Sequence, residues 1–188
     1  MGEPKAWLQF GTERMVQRVV RRLQEVVHPI LVVGDPGQPL PDLPPHVLLT
    51  HDRRPGRGPL EGIAVGLSAL AGQADAAYVT ACDVPLLQPE FVRRVVELAV
   101  GYDVALPCID GLDQPLAAVY RTSVLGHIEA LLAAGRLRPV FLLDQVRTRR
   151  IVPEELRDVD PHLDSLINVN SPTDYQVALT RAGLLSGP

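Results

Sequence analysis

Short apolar runs bounded by proline or glycine alternate along this chain with amphipathic segments, and this alternation limits the fold more than any other feature. Between Met15 and Val27, apolar residues recur every three or four positions, which predicts a helix with one buried stripe. Pro29 ends that helix, and the apolar run 30–33 follows. A wholly apolar run of this length is typical of a strand buried on both faces of a parallel sheet.

The same pattern repeats to the end of the chain. Further strands are predicted at 47–49, 76–81, 104–106 and 116–120, and further helices at 61–71, 89–100, 123–134 and from Ser171 onwards. Together they predict an α/β fold with a Rossmann-like, mostly parallel sheet flanked by helices, in one layered domain over residues 1–188. The chain opens with a loop and a helix, however, whereas α/β nucleotide-binding folds usually open with a strand and a glycine-rich turn.

Charge, cysteine content and missing motifs exclude several classes of function. The net charge of −4 argues against a nonspecific nucleic-acid binder. The arginines at 14–22 of the first helix are interpreted as a solvated face, and a nucleic-acid contact is the alternative interpretation. Two cysteines cannot build a disulfide framework, and no P-loop, nucleophile elbow or histidine metal spacing occurs. No stretch is typical of a signal peptide or a membrane span, so we expect a cytoplasmic protein that uses neither membrane nor nucleic acid.

Two aspartates follow predicted strands, at the edge where open α/β sheets bind their ligands. Asp83 follows the run 76–81, and a carboxylate there suits a hard cation such as Mg²⁺; a helix N-cap is the competing interpretation. Asp52 ends the second strand and precedes a glycine-rich loop at 56–62, whose backbone could approach a ligand closely. For Asp52 the competing interpretation is an ordinary flexible loop.

Two asparagines and one lysine complete the candidates. Asn168 and Asn170 lie at another junction that leads into a helix, where Asn170 is equally well explained as a turn or cap residue. Lys5 is the one lysine in a chain whose other basic residues are all arginine. On its own it is explained as an exposed lysine near the terminus.

Five segments resemble, in the same order, the motifs of the molybdenum cofactor guanylyltransferases and their nucleotidyltransferase relatives. Residues 1–8 resemble R-M-G-x-x-K-A-x-L from its methionine onwards, and residues 58–63 match G-P-L-x-G-I. Residues 81–87 match x-C-D-x-P-x-L, and residues 114–116 match the region around the family's second sheet segment. Residues 168–174 match N-x-N-T-P-x-D, with Ser171 in place of threonine. The resemblance spans nearly the whole chain. It implies a nucleotide-diphospho-sugar transferase-like fold.

The resemblance also implies roles for individual residues. Lys5 and Asp83 would be catalytic and would lie at the nucleotide phosphates, with Asp83 holding Mg²⁺. Asn168 and Asn170 would border the acceptor and metal region. The guanosine would be bound by Asp52 and by a loop whose contributing members are Gly58, Pro59, Leu60 and Gly62.

The implied reaction transfers GMP from GTP to the terminal phosphate of molybdopterin and releases pyrophosphate, with Mg²⁺ as cofactor. GTP and molybdopterin would be the small-molecule partners, and molybdoenzymes or cofactor-handling proteins further partners. Two alternatives stay open. One is a related enzyme that uses CTP or another nucleotide, and the other is a non-catalytic, nucleotidyltransferase-like binding protein.

The chain departs from the family pattern at its beginning. The family places a strand and an L-A-G-G-type loop ahead of the R-M-G segment, and this chain begins within that segment. We therefore expect Met1 to be an internal methionine and the domain to be short by one strand and loop, about 15–20 residues at typical element lengths. Such a form is expected to bind GTP poorly and to be marginally stable.

Overall fold

The computed structural model describes residues 4–54 and 56–185, so Met1, where the family-like first segment begins, lies outside the described residues. The strands are β1 (Gln9–Phe10), β2 (Glu13–Arg14), β3 (Leu31–Gly34), β4 (Leu48–His51), β5 (Ala76–Thr80), β6 (Val104–Ile109), β7 (Leu112–Asp113), β8 (Ala117–Arg121) and β9 (Thr148–Ile151). The helices are α1 (Met15–Gln24), α2 (Pro59–Ala69), α3 (Pro89–Leu98), α4 (Leu125–Ala133), α5 (Val140–Leu143) and α6 (Pro172–Arg181). Short 3₁₀ turns lie at Lys5–Trp7, Thr122–Val124, Pro153–Glu155 and Asp164–Leu166.

The α/β class is confirmed, but the largest sheet is mixed where the sequence predicted a mostly parallel one. Its order is β5-β8-β6, with β7 and β9 also paired to β6. β8 runs antiparallel to both of its neighbours, whereas β9 is parallel to β6. The reason is the short connection from β6 to β8, which holds only β7, because a parallel partner needs a crossover of about a dozen residues or more.

Within the described residues, the strands divide into separate sheets with a break between β3 and β5. β3 pairs in parallel with β4, and β5 pairs with β8, but β3 and β5 do not pair with each other. Helix α2 packs on β3, β4 and β5, and Val32 and Tyr78 both contact the apolar cluster centred on α1. The helices therefore hold the two sheets side by side across the break.

Apolar clusters lie on both faces of the five-stranded sheet. Along β6, Val104 and Leu106 contribute to the cluster under α2 and α4, while Ala105 contributes to the cluster under α3. Successive side chains of a strand point to opposite faces, so one strand supplies both cores. Among the described residues, the helices are all too short or too polar to cross a membrane.

Candidate active site

Three of the residues singled out from the sequence meet at one point, although they lie far apart in the chain. The Lys5 ammonium donates hydrogen bonds to Asp83 Oδ2 at 2.6 Å and to Asn170 Oδ1 at 2.5 Å. Lys5 belongs to the first 3₁₀ turn, Asp83 follows β5, and Asn170 precedes α6. The site therefore joins the beginning, the middle and the end of the chain.

Asp83 is a buried carboxylate held by the loop after β5, with 7% of its surface exposed. It does not cap the next helix, because the N-cap position of α3 is Gln88. Its backbone carbonyl accepts a hydrogen bond from the Val169 N–H at 2.9 Å, which ties this loop to the segment before α6. The helix-cap interpretation of Asp83 is thus wrong, and the carboxylate is free to face a cation.

The segment before α6 presents asparagines on either side of a buried valine. Val169 has no exposed surface and packs against Phe10, while Asn168 and Asn170 are both exposed. Asn170 reaches Lys5, whereas the Asn168 side chain makes no hydrogen bond within residues 4–54 and 56–185. The structure therefore brings one of the two predicted asparagines into the group.

Ser171, rather than Asn170, caps helix α6. The Ser171 hydroxyl accepts a hydrogen bond from the Asp174 N–H, and the Asp174 carboxylate accepts hydrogen bonds from the N–H groups of Asn170 and Ser171 at 3.0 and 2.8 Å. The Ser171 side chain, those two N–H groups and the charge of Lys5 hold the pKa of the Asp174 carboxyl below its usual range. Because the cap is complete without it, the Asn170 side chain is left for the site.

Asp52 forms a second cluster, with the beginning of helix α2. Its Oδ1 is buried and has no hydrogen-bond partner among the described residues. Burial raises the pKa of Asp52, and the carboxylates of Glu61 and Asp35 raise it further. A Cβ added to Gly62 would lie 3.5 Å from Asp52 Oδ1, so a side chain at this position would pack directly against the buried acceptor.

The turn into α2 is shaped by the remaining residues predicted to bind the nucleotide. Gly58 has φ of +71° and takes the N-cap position, and Pro59 takes the first helical position, which its fixed φ favours. Leu60 has no exposed surface and packs in the core under α2 and α4. Leu60 therefore anchors this turn from inside instead of presenting its side chain to a ligand.

Comparison with known proteins assigns the chain to a family. Residues 1–149 match the MobA-like NTP transferase domain. The chain belongs to this MobA-like NTP transferase family. A probable molybdenum cofactor guanylyltransferase of Carboxydothermus hydrogenoformans is 32% identical over 180 residues, covering 95% of this chain and 88% of the relative.

Two further comparisons agree with the family assignment. A probable molybdenum cofactor guanylyltransferase of Mycobacterium tuberculosis H37Rv is 39% identical over 176 residues, covering 91% of this chain and 83% of the relative. The crystal structure of the molybdopterin-guanine dinucleotide biosynthesis protein A of Archaeoglobus fulgidus superposes with a TM-score of 0.79 at 21% identity, covering 98% of this chain and 93% of that one. The latter comparison shows a shared fold.

The arginine face of helix α1 has a structural role in this MobA-like chain that sequence reasoning missed. Arg18 donates to the carbonyl of Pro85 at 2.7 Å, and Arg22 donates to the carbonyl of Leu87 at 3.0 Å. These bonds hold the loop that carries Asp83 against α1. The solvated-face interpretation is therefore wrong for these two arginines, whose spacing of four places both on the side that meets the loop.

The oxygen atoms around Lys5 suit a hard divalent cation better than a soft one. Asp83 supplies a carboxylate oxygen and Asn170 an amide oxygen, the donor types that Mg²⁺ accepts. No group of three or more His, Cys, Asp or Glu side chains that could hold a metal occurs in the described part of the chain. One carboxylate with a neighbouring amide oxygen fits Mg²⁺, which commonly takes one or two carboxylates together with substrate phosphates.

Proposed function

We propose that this protein transfers GMP from GTP to the terminal phosphate of molybdopterin and releases pyrophosphate. The names of the two relatives support the reaction. The observation that carries the proposal is the meeting of Lys5, Asp83 and Asn170, which unites a phosphate-binding cation with two metal-binding oxygens. In this proposal, residues 1–188 form a single nucleotidyltransferase domain, since Lys5 and Asn170 both contribute side chains to one site.

The chemistry needs positioning and charge neutralisation more than covalent help from the protein. An oxygen of the molybdopterin phosphate attacks the α-phosphorus of GTP, a new phosphorus–oxygen bond forms, and the bond between the α-phosphorus and the bridging oxygen breaks. Pyrophosphate leaves with that electron pair. Negative charge shifts towards the leaving oxygens, and the Lys5 ammonium stabilises it as a compact point charge.

Asp83 and Asn170 are the residues that would hold Mg²⁺. When bound, the ion supplies further neutralisation of the phosphate charge and orients the phosphates. The buried position of Asp83 supports this role, because a carboxylate shielded from water interacts more strongly with a cation than an exposed one. The hydrogen bond from Val169 to the Asp83 carbonyl keeps the two oxygen donors in register.

Asp52 and the turn at Gly58–Gly62 are proposed to bind the guanosine. The buried, unpartnered Asp52 Oδ1 needs a hydrogen-bond donor, and guanosine carries N–H and O–H donors that would satisfy it. Because Gly62 carries no Cβ, no side chain of this residue stands beside the oxygen that the donor would have to reach. Asp52 would then discriminate between nucleotides by the hydrogen-bond donors that they present.

Nucleotide-dependent pyrophosphate release in the presence of molybdopterin and Mg²⁺ tests the proposed function. At GTP concentrations high enough to offset weak binding, we expect more release with GTP than with CTP, and loss of release in Lys5→Met. Arg94→Met serves as a control, because the Arg94 side chain pairs with Asp158 on the surface and is about as exposed as that of Lys5. Release with CTP alone would favour the cytidylyl alternative. No release with any nucleotide, from a protein that still binds GTP, would favour the binding-protein alternative.

A further inference from the structure

The Lys5 ammonium holds the same two oxygens that a metal ion would use. Its Nζ lies 2.6 Å from Asp83 Oδ2 and 2.5 Å from Asn170 Oδ1. An ammonium is a hard cation that binds oxygen through its N–H donors, as a metal ion binds oxygen through coordination. The two cations cannot occupy this position together, because both would need the same oxygens and their charges repel each other.

The backbone around Lys5 is anchored, so only the side chain has freedom to move. The Trp7 N–H donates to the Pro4 carbonyl at 2.9 Å and the Leu8 N–H donates to the Lys5 carbonyl at 3.1 Å. Ala6 is buried in the cluster centred on α1, and the Trp7 indole donates to the Pro39 carbonyl at 2.8 Å. The Lys5 side chain itself is 38% exposed, whereas that of Asp83 is 10% exposed.

In this arrangement the Lys5 ammonium can occupy two positions, and rotation about the bonds of the side chain moves it from one to the other. The four-carbon stem is flexible, and the ammonium can leave Asp83 without any movement of the 3₁₀ turn. A polyphosphate beside the site offers the ammonium new oxygen partners. Once Lys5 turns towards it, the Asp83 and Asn170 oxygens are released to a divalent cation.

We propose that Lys5 fills the cation site of the free protein and leaves it when a nucleoside triphosphate arrives, so that metal and nucleotide bind together and free metal does not bind first. The identity of the triphosphate rests on the proposed function; the occupation of the site by Lys5 does not. The device keeps the buried Asp83 charge compensated at all times. It also couples metal affinity to the presence of substrate.

A titration of the free protein with Mn²⁺, followed by electron paramagnetic resonance and without nucleotide, tests this proposal. Coupling energies between sites typically correspond to changes of about 5–150-fold, so Lys5→Met and Lys5→Gln are expected to bind Mn²⁺ at least about fivefold more tightly than the wild type. Adding GTP should tighten Mn²⁺ binding to the wild type. The variant Arg94→Met, which loses another 2.6 Å ion pair from a basic side chain of similar exposure, should leave it unchanged.

Two outcomes would overturn the proposal. One is Mn²⁺ binding to both Lys5 variants that is no tighter than binding to the wild type. The other is a gain in Lys5→Met that persists in Lys5→Met/Asp83→Asn, because the gain must come from the Asp83 oxygen. Failure of the proposed function would look different: pyrophosphate release would be absent with GTP while the gain in Mn²⁺ affinity, measured without any nucleotide, stayed intact.

Discussion

Lys5 and Asp83 lie 78 positions apart in the chain and form an ion pair with 2.6 Å between Nζ and Oδ2. The pair is partly shielded from solvent, since the Lys5 side chain extends from the surface and the Asp83 side chain is mostly buried. It is the point at which the 3₁₀ turn at Lys5–Trp7 meets the loop after β5.

Replacing Asp83 with asparagine should lower the rate of pyrophosphate release by about a hundredfold or more, because the variant loses the carboxylate that would hold the charge-neutralising Mg²⁺. Asparagine has nearly the same shape, so circular dichroism should show the fold retained. Asp158→Asn is the control, because Asp158 also pairs with a basic side chain at 2.6 Å, that of Arg94, but lies away from the site. A rate for Asp83→Asn within twofold of the wild type would contradict the role of this carboxylate.

Gly62→Ala should separate stability from nucleotide binding. A helical glycine is about 0.5–1 kcal/mol less favourable than alanine, so this change in α2 should raise the free energy of unfolding. The new methyl would lie 3.5 Å from Asp52 Oδ1 and take the space beside it that a donor of the guanosine would need, so the affinity for GTP should fall, about tenfold for one lost polar contact.

Gly66→Ala in the same helix is the matched control for Gly62→Ala. A Cβ there would meet only the Val33 side chain, at 3.7 Å. Urea denaturation and calorimetric GTP titration of both variants provide the comparison. Equal GTP affinities in the two variants would show that Asp52 takes no part in binding.

Val169→Ala should destabilise the protein by about 2 kcal/mol, because Val169 is fully buried and its truncation leaves a cavity beside Phe10. Val177→Ala removes the same atoms from a side chain that is 44% exposed, and should change the free energy of unfolding by less than about 0.5 kcal/mol. Urea denaturation measures both. Similar values for the two variants would contradict the anchoring role of Val169.

The stability supplied by Asp174 should depend on pH in a defined direction. Its pKa is lowered in the folded protein, chiefly by the Ser171 side chain and by the N–H groups of Asn170 and Ser171. A lowered pKa means that the stabilisation is present above the ordinary aspartate pKa and is lost as the pH falls through the folded value. The Tm difference between wild type and Asp174→Asn should therefore be largest near neutral pH and shrink in acid. A difference that grows in acid would contradict this assignment.

Amide hydrogen exchange should reveal the break between the two sheets. The N–H groups of Leu48 and Asp52 donate to the carbonyls of Ile30 and Gly34, so alternate residues of β3 face β4 and the others face the break. The amides of Leu31 and Val33 should therefore exchange faster than that of Val32, as resolved by nuclear magnetic resonance. Equal protection of all three would mean that a partner fills the break.

Much of the fold follows from residue patterns that act over short distances. The apolar stripe of α1 and the Pro-Gly-bounded run of β3 were both predicted within a few residues, because helix and strand periodicity are local properties.

β9 was missed for a physical reason. Its sequence Thr-Arg-Arg-Ile buries only Ile151, and its arginines pair with Glu155 and Asp113, so no apolar run signals the strand.

The candidate site was predictable as a set of residues but not as an arrangement. Placement after strands pointed to Asp83 and Asp52, placement before the last helix pointed to Asn170, and the resemblance gave Lys5 its role. Which of them touch depends on packing between distant segments, so no local pattern could show that Lys5 bonds Asp83 and Asn170 while Asp52 joins Gly62. The burial of Leu60 escaped notice for the same reason, since a motif does not say which way its side chains point.

The contact between Lys5 and Asn170 spans 165 positions, and this has a consequence for how the protein matures. During synthesis, Lys5 leaves the ribosome long before Asn170 does, and domains fold as their chains emerge. The oxygens that accept the ammonium are therefore brought together only after the segment before α6 has been made. A nascent chain in which residue 170 has not yet emerged therefore lacks the Lys5–Asn170 contact, and the proposed site can assemble only after that segment has left the ribosome.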